Sequence, residues 1–258
     1  MFKMFNRAST TVLVAMTLAG SSLAHANLIV NGSFELPVVD AGDMCGPYSY
    51  CRAFTPGDTI DGWTVVGNGG VAGTAMVISN AYTEPDNGDG QTLHFDAEDG
   101  IQSIDLTGEG NQGTSNGIKQ TVATIPGTMY QLTFEVGHQY DQAPGYPGAA
   151  SVSLWLDLMN NGASEVGVYS NDADTPEDIT WESFQFDFEA LDTVTTIAFL
   201  NATPVGNNFA GLDNVDLVAL LPEPSSLWLA VTGMMFLVPR LVRRRFAIHS
   251  PPAKTGFV

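Results

Sequence analysis

Basic residues are nearly absent from the long middle part of this sequence. Between Asn27 and Leu221 the only cations are Arg52 and Lys119, against 27 acidic residues, which gives these 195 residues a net charge of −25. This charge excludes a nucleic-acid partner, because phosphate binding requires a basic surface. It favours a solvated anionic surface or bound divalent cations. The length is sufficient for one well-packed domain.

Catalytic motifs are also missing from this segment. Its only histidines are His94 and His138, and neither accompanies a nucleophile motif such as Gly-x-Ser-x-Gly. Pairs of carboxylates suited to glycoside hydrolysis arise by chance among so many acidic residues. From these absences, the sequence predicts that the protein is not an enzyme.

Long helical periodicity is absent from the segment, and short alternating stretches take its place. In "TMYQLTFEV" the apolar residues Tyr130, Leu132, Phe134 and Val136 fall on one face, and similar stretches recur between Gly, Pro, Asn and Asp clusters. Pro126-Gly127 favours a type II turn, from which we expect a hairpin between the flanking strands. The pattern predicts an all-β fold, an antiparallel sandwich or jelly roll with one face of each strand buried.

The first 26 residues follow the order of a secretory signal peptide. Lys3 and Arg7 precede an apolar stretch from residue 12 to 19, and Ala24 and Ala26 form an Ala-x-Ala cleavage site. The alternative is a short N-terminal membrane anchor, although the apolar stretch is short for a bilayer. The sequence therefore predicts export.

Only two cysteines occur in the whole chain, in the stretch "CGPYSYC". Cys45 and Cys51 enclose five residues. In an exported protein this spacing predicts a disulfide that closes one loop. A metal-binding pair is the alternative, but no nearby His or Cys completes a tetrahedral set.

The C-terminal region joins a Pro-Glu-Pro triplet to an apolar run and an arginine cluster. The uncharged residues 225–239 give about 22 Å of helix, and including Leu241 and Val242 makes a marginal single transmembrane helix. By the positive-inside rule, the arginines and the tail 246–258 would stay in the cytoplasm, with the acidic domain outside. A permanent single-pass anchor is one interpretation of this arrangement.

The same region resembles the PEP-CTERM sorting signal of Gram-negative bacteria, which an exosortase recognises and processes. The resemblance covers residues 222–245 and implies cleavage near the triplet. It also implies an inner-membrane-anchored precursor that is later found at the cell surface or in the extracellular matrix. The residues that match are Pro222, Glu223, Pro224, Arg243, Arg244 and Arg245.

Four sequence motifs of the domain resemble the choice-of-anchor C family. They are "NLIVNGSFELP", "GDTIDGWTVV", "DGIQSIDLTG" and "FAGLDNVDLV", in this order. The similarity runs from Asn27 to Val218. It implies a galactose-binding-like β-sandwich and places the first and last strands close together. Related sandwiches often hold Ca²⁺ there, which implies Glu35 and Asp213 as ligands and Asn31 as a third. The alternative is that both acids accept hydrogen bonds from turn amides.

Four loop tyrosines are the candidate residues for binding a sugar. Aromatic faces stack on pyranose rings, and loop residues are more exposed than strand residues. We therefore predict an extracellular carbohydrate-binding module associated with exopolysaccharide. The alternative is a structural surface or matrix protein, in which the same side chains only cover the edge of the sandwich. The four candidates are Tyr48, Tyr50, Tyr140 and Tyr146.

Overall fold

A computed structural model of the protein describes residues 26–67, 74–85, 90, 92–111, 116–140, 145–175 and 178–220. The predicted signal peptide, sorting signal, C-terminal helix and cytoplasmic tail lie outside these ranges. Within these ranges, the structure contains no helix that is long and apolar enough to cross a bilayer.

The described ranges form an all-β structure, as the alternating pattern predicts. The strands are β1 (Met44–Cys45), β2 (Tyr48–Ser49), β3 (Cys51–Phe54), β4 (Thr59–Ile60), β5 (Trp63–Val66), β6 (Ala75–Ser79), β7 (Thr83–Pro85), β8 (Thr92–His94), β9 (Gln102–Asp105), β10 (Gly117–Ala123), β11 (Met129–His138), β12 (Ala150–Asp157), β13 (Ser164–Asn171), β14 (Thr180–Glu189), β15 (Val194–Asn201) and β16 (Gly211–Ala219).

Two antiparallel sheets of six strands make up most of the fold. We call them sheet A, with the order β13-β12-β15-β10-β5-β4, and sheet B, with the order β14-β11-β16-β9-β6-β3. Two further pairs, β1-β2 and β7-β8, form small hairpins. The antiparallel sheet architecture predicted from the sequence is confirmed.

The two sheets pack face to face across one hydrophobic core. Phe134 of sheet B lies 4.9 Å from Phe199 and 5.0 Å from Tyr169, both of sheet A, between ring centroids. The predicted alternation on β11 is confirmed, since Tyr130, Leu132, Phe134 and Val136 are all buried. Burial of these faces is the main stabilising contribution of the sandwich.

The predicted turn at Pro126-Gly127 is present, but the predicted hairpin is wrong. Thr128 N donates to Ile125 O across the turn, and Gly127 has a φ of 78°, as the third position of a type II turn requires. The flanking strands do not pair with each other, because β10 lies in sheet A and β11 in sheet B. The turn therefore carries the chain from one sheet to the other.

The N-terminal segment runs beside the last strand. Leu28 N donates to Leu217 O at 2.9 Å, and Val215 N donates to Gly32 O at 3.0 Å. A Cβ on Gly32 would lie 2.0 Å from Val215 O, so the close approach requires glycine. The first and last sequence motifs of the domain, "NLIVNGSFELP" and "FAGLDNVDLV", are thus neighbours in space.

Candidate functional site

A second hydrophobic cluster covers part of the outer face of sheet B. On β6, Val77 points into the core between the sheets, so its neighbours Met76 and Ile78 point outward. Short strands and loops bury this outer face. We call the buried group the outer cluster, which consists of Cys45, Cys51, Met76, Ile78, Tyr82, Leu93, Phe95, Tyr146 and Phe209.

Phe95 is the central aromatic residue of the outer cluster. Its ring lies 5.0 Å from Tyr82, 6.0 Å from Tyr146 and 5.4 Å from Phe209, each in an edge-on arrangement. Tyr48 makes a further edge contact with Tyr82 at 5.8 Å. Edge-on pairs are the favoured geometry for aromatic rings, so these contacts hold the tyrosines in fixed positions.

A pocket of about 340 Å³ opens above this cluster, within the size range of small-molecule sites. Its walls come from the β1-β2 hairpin, from β6, from the segment 82–84 and from three loops. The residues that line it are Cys45, Gly46, Pro47, Tyr48, Met76, Tyr82, Glu84, Gly108, Glu109, Gly110, Tyr146 and Asn208.

Glu84 is the residue on which the polar groups of the pocket converge. The phenol of Tyr82 donates a hydrogen bond to Oε1 of Glu84, and the phenol of Tyr146 donates to Oε2 at 2.7 Å. Burial raises the pKa of Tyr82 and Tyr146, and the charge of Glu84 raises both further. The same two causes raise the pKa of Tyr48. The phenols therefore stay protonated and act as donors to the carboxylate.

Asp105 is a buried acid of β9 whose charge acts on the pocket. Its Oδ1 accepts hydrogen bonds from Thr107 N at 2.9 Å and from Ala210 N at 3.0 Å. Burial raises its pKa from 3.8 to about 7, against the opposing effect of these hydrogen bonds. Its charge in turn contributes to the raised pKa of Tyr146 and Cys45. Asp105 is thus an acid that titrates near neutral pH next to the pocket.

Only part of the predicted sugar-binding set lines this pocket. Tyr48 and Tyr146 are lining residues, whereas Tyr50 and Tyr140 are partly buried against the outer cluster. A direct role of the four in sugar binding stays a prediction. Tyr82, Glu84 and Glu109 complete the site and were not foreseen. They lie in short strands and loops that carry no periodic signal, and only the tertiary fold brings them together.

The two cysteines lie side by side under the pocket wall. Both thiols are buried and unbridged in this structure. A hydrogen bond with Cys51 and burial both raise the pKa of Cys45. Cys51 Sγ also lies 3.5 Å from Tyr48 O. The predicted disulfide stays a prediction, and its place in the fold connects it to the pocket through Cys45.

The predicted calcium ligands hold a loop through hydrogen bonds. Oε1 of Glu35 accepts from Ile101 N and Gln102 N at 2.7 and 2.9 Å. Oδ2 of Asp213 accepts from two amides of the same loop, at residues 98 and 99, both at 2.9 Å.

The side chain of Asn31 bonds in both directions with Leu36. This is the arrangement of the alternative interpretation, in which both acids accept hydrogen bonds from turn amides. An oxygen that accepts two N–H groups is poorly placed to bind a cation, because both donors present positive charge to it. Among the described residues, no group of three or more His, Cys, Asp or Glu is suited to a metal ion. The residues as arranged do not fit a calcium ion, and its binding stays an untested prediction.

His138 has a structural environment. Its Nδ1 and Nε2 lie 2.8 and 2.9 Å from the carbonyl oxygens of Ala173 and Gly148. The ring is buried, and its two hydrogen bonds to backbone carbonyls connect the end of β11 to two loops. His138 is not among the residues that line the pocket.

Several solved structures resemble the fold at low identity. A Stig cyclase, Fisc from Fischerella sp. TAU in complex with (3Z)-3-(1-methyl-2-pyrrolidinylidene)-3H-indole, is 20% identical, with 75% of this chain and 96% of that chain covered and a TM-score of 0.44. TmCBM61 in complex with β-1,4-galactotriose is 12% identical, with 75% and 99% covered and a TM-score of 0.40. The CBM22-1 xylan-binding domain of Paenibacillus barcinonensis Xyn10C is 14% identical, with 67% and 94% covered and a TM-score of 0.37.

No protein with a curated description matches the chain. The resemblances to the choice-of-anchor C family and to the PEP-CTERM signal stay predictions. A family model described as HpiC1 cyclase, in contrast, matches residues 25–217. This match overturns the prediction that the protein is not an enzyme, which relied on the absence of familiar nucleophile motifs. Over nearly the whole of its β-sandwich, the chain belongs to the HpiC1-like family, a family of cyclases.

Proposed function

We propose that the protein is a cyclase and that the pocket above the outer cluster is its active site. The observation that carries this proposal is the convergence of two phenols, Tyr82 and Tyr146, on the carboxylate of Glu84 inside an aromatic pocket. Phenols and carboxylates are groups that move protons in enzyme sites. The family match supplies the class of reaction.

Ring closure by proton transfer balances without any further reactant. The π electrons of one substrate double bond take a proton from the enzyme and leave a positive charge on the adjacent carbon. A second π bond of the same molecule attacks that carbon and forms the ring bond. Loss of a proton to the enzyme then restores neutrality, so the product is an isomer of the substrate. The phenol of Tyr146 supplies the first proton, and the carboxylate of Glu84 accepts the last one. Proton transfer along the 2.7 Å hydrogen bond between the two groups then restores the phenol and the carboxylate.

The pocket also suits the positive charge that such a reaction develops. The faces of tyrosine rings attract cations, and a carboxylate fixed in place lowers the energy of a nearby cationic intermediate. Tyr48, Tyr82 and Tyr146 provide the rings, and Glu84 and Glu109 provide the carboxylates. The apolar floor, made by Met76 and the cluster beneath it, excludes water from such an intermediate.

The test is the conversion of aromatic compounds that carry an alkene side chain. Incubation with the purified protein is expected to give a product of unchanged mass and altered chromatographic retention. Glu84→Gln is expected to slow turnover by at least about 100-fold, since it removes the proton-transfer group. Glu182→Gln, at an exposed position of β14, is the matched control and is expected to keep wild-type turnover. Equal turnover in both variants would remove Glu84 from the mechanism.

Carbohydrate binding is the second candidate function, and it concerns the same pocket. Tyrosine rings beside carboxylates are the combination that sugar sites use, with the ring face on the pyranose and the acids on its hydroxyls. Tyr48 and Tyr146 support this candidate because both line the pocket next to Glu84. Saturable binding of a neutral or acidic glycan, lost in Tyr146→Ala, would support an exopolysaccharide ligand. No binding across a glycan array would remove this candidate and leave the cyclase, or the structural role of a surface or matrix protein.

We also propose that the protein acts outside the cytoplasm after removal of its two terminal segments. The Ala-x-Ala site at Ala24 and Ala26 and the tail that begins at Pro222 support this proposal. An exosortase would cut near Pro222–Pro224 and leave the arginines in the inner membrane. Intact-mass analysis of the exported protein tests it. Recovery of Arg243–Arg245 on the mature product would favour a permanent anchor instead.

A further inference from the structure

A carboxyl group lies buried on the outer face of sheet B, beneath the pocket. On β9, Ile104 points into the core between the sheets, so Asp105 points outward, in line with Met76 of β6 and Gly211 of β16. Asp105 is 1% exposed. Burial of a charged carboxylate costs free energy unless its oxygens are hydrogen-bonded. The partners of Asp105 therefore determine which protonation state is stable.

The oxygens of Asp105 bond to two loops that line the pocket. Oδ1 accepts hydrogen bonds from Thr107 N at 2.9 Å and from Ala210 N at 3.0 Å. Both Oδ1 and Oδ2 lie 2.9 Å from Thr107 Oγ1. The same hydroxyl lies 2.6 Å from the carbonyl oxygen of Asn208, a residue of the pocket wall. Thr107 is thus the point at which the two loops meet.

These contacts need more protons than the hydroxyl of Thr107 carries. A hydroxyl has one proton, and a backbone carbonyl only accepts. Since the contact with Asn208 O is the shorter, the proton of Thr107 belongs there. The 2.9 Å contact between Thr107 Oγ1 and Asp105 Oδ2 then requires a second proton, which a protonated carboxyl supplies. Because Oδ1 already accepts from two amides, this proton lies on Oδ2.

The chain of hydrogen bonds continues to the proton donor of the proposed reaction. Asn208 N donates to Gly145 O at 2.8 Å. Gly145 directly precedes Tyr146, whose phenol donates to Glu84 at 2.7 Å. The position of Asn208 therefore affects the backbone that carries the Tyr146 ring.

We infer that Asp105 is a positioning residue that acts in its protonated form. It donates to Thr107, Thr107 donates to Asn208, and this chain of hydrogen bonds holds Tyr146 in place for the proposed reaction. The inference rests on the proposed function, since it assigns a supporting residue to the same pocket. Burial raises the pKa of Asp105 from 3.8 to about 7, which agrees with a proton retained up to neutral pH. Above this pH, Asp105 and Asn208 compete for the single proton of the Thr107 hydroxyl.

Other titratable groups come from the elements packed around Asp105. Burial raises the pKa of Tyr146, and a hydrogen bond with Cys51 together with burial raises that of Cys45, so both stay protonated near pH 7. Burial also raises the pKa of Asp213, further along β16, to about 7. Substitution of Asp105 is therefore needed to separate its titration from theirs. The whole set consists of Glu84, Glu109, Cys45, Tyr146 and Asp213.

Infrared spectroscopy of the purified protein tests the protonation state. The C=O stretch of a protonated carboxylic acid is expected near pH 6 and is expected to be lost near pH 8.5, on either side of the pKa of about 7. Asp105→Asn is expected to remove this component of the spectrum. The matched control is Asp61→Asn, in the exposed turn between β4 and β5, and it is expected to keep the component.

Amide hydrogen exchange tests the positioning. After correction for the intrinsic effect of pH, protection of the Asn208 amide is expected to fall about fivefold from pH 6 to pH 8.5, the equivalent of one hydrogen bond. Asp105→Asn is expected to remove this fall, because its Nδ2 donates to Thr107 at every pH, as the protonated acid does. Thr107→Val is expected to lower the protection at both pH values, whereas Thr107→Ser, which keeps the hydroxyl, is expected to preserve it. Thermal melting of each variant establishes that it is folded.

The outcomes separate this inference from the function proposed for the pocket. The kcat for an aromatic alkene is expected to follow the protection of Asn208, with a smaller change in KM, because Tyr146 supplies the first proton. Absence of the Asp105 component near pH 6, or an equal fall of protection in the wild type and in Asp105→Asn, would overturn the inference whether or not the protein is a cyclase. Conversion of the alkene that is insensitive to Thr107→Val would also overturn it. Spectra and protection that behave as expected, in a protein that converts no alkene, would support the hydrogen-bond chain and count against the proposed function alone.

Discussion

The two faces of sheet B carry clusters of different chemistry. The inner core, between the sheets, is almost entirely apolar, and its few polar atoms have backbone partners, such as Trp63 Nε1 with Asn31 O at 3.0 Å. The outer cluster contains three types of polarisable or polar side chain, namely tyrosine, cysteine and methionine. Its phenols bond to a carboxylate instead of the backbone. The inner face contributes mainly to stability, and the outer face carries the polar groups of the proposed site.

The difference lies in what covers each face. An antiparallel sheet commonly leaves one face to solvent, and then polar side chains occupy it. On β6 the outward residues Met76 and Ile78 are buried, as is the inward Val77. Short hairpins and loops, not a second sheet, bury them. The pocket of about 340 Å³ that opens beside them is within the size range of small-molecule sites.

The largest effect is expected from truncating the centre of the inner core. Phe134 contacts Phe199, Tyr169 and Phe184, with ring centroids 4.9, 5.0 and 5.9 Å away. Phe134→Ala is expected to lower the free energy of unfolding by about 3–5 kcal/mol, since the tightly packed core cannot collapse around the cavity. Urea unfolding, followed by tryptophan fluorescence, measures this loss.

The matched variant in the outer cluster is Phe95→Ala. Its expected cost is lower, about 2 kcal/mol, because the open pocket nearby lets side chains relax into the space. It is expected to weaken ligand binding, which Phe134→Ala at low temperature leaves intact. Equal destabilisation by the two variants would contradict the comparison and make the outer cluster part of the folding core.

The next effect concerns the cysteines of the outer cluster. A bridge between Cys45 and Cys51 would close a small loop, so its expected stabilisation is at the low end, about 2 kcal/mol. Addition of a reductant is then expected to lower the melting temperature and to loosen the pocket wall at Tyr48. Cys51→Ala is expected to abolish the response to the reductant. Two thiols that titrate freely in the exported, non-reduced protein would contradict the bridge.

The sequence was sufficient to predict the strand architecture. Apolar and polar residues alternate in stretches such as 129–136, which predicts a strand with one face buried. The observed burial of β11 follows this alternation. Pairing was harder to predict. The turn at Pro126-Gly127 was predicted by residue type, but whether its two arms pair depends on sheet neighbours that are far away in sequence. Local chemistry determines a turn, and distant contacts determine the sheet to which each arm belongs.

The candidate site was only partly predictable, for a related reason. Tyr48 and Tyr146 were selected as loop aromatics, but their partner Glu84 was one of 27 acidic residues with no local distinction. The cyclase class was missed because the expected signs of catalysis were nucleophile motifs. A site made of phenols and a carboxylate leaves no such motif. Tyr146 lies 62 residues from Glu84 in the sequence, and only the fold brings the two into contact.

A smaller effect is expected from pH. Asp105 has a folded-state pKa raised by burial from 3.8 to about 7. Such a group contributes stability that is fully present below the unfolded pKa and is lost as the pH rises through about 7. The protein is therefore expected to melt at a higher temperature near pH 5 than near pH 8. The difference is expected to be on the order of 2 to 3 kcal/mol.

A control is needed because the net charge of −25 between Asn27 and Leu221 also disfavours the folded state at high pH. Asp105→Asn removes the titrating group and keeps its shape, so it is expected to flatten part of the melting profile between pH 4 and pH 7. Melting curves of both proteins across this range provide the measurement. Identical slopes would show that the general charge, and not the buried acid, causes the pH dependence.

The smallest expected change in stability compares one phenol from each face of sheet B. Tyr146 donates to Glu84 in the outer cluster, and the phenol oxygen of Tyr130, in the inner core, accepts a hydrogen bond from Ile125 N at 3.0 Å. Tyr→Phe at either position keeps the ring and deletes one hydrogen bond, so each is expected to lower the free energy of unfolding by about 1 kcal/mol. Their effects on turnover are expected to differ. Tyr146→Phe should slow the proposed cyclisation at least about tenfold, because it removes a proton-transfer partner of Glu84, while Tyr130→Phe should leave it unchanged. A similar loss of turnover in both would mean that the phenols act through stability alone, and the functional distinction between the two faces would not hold.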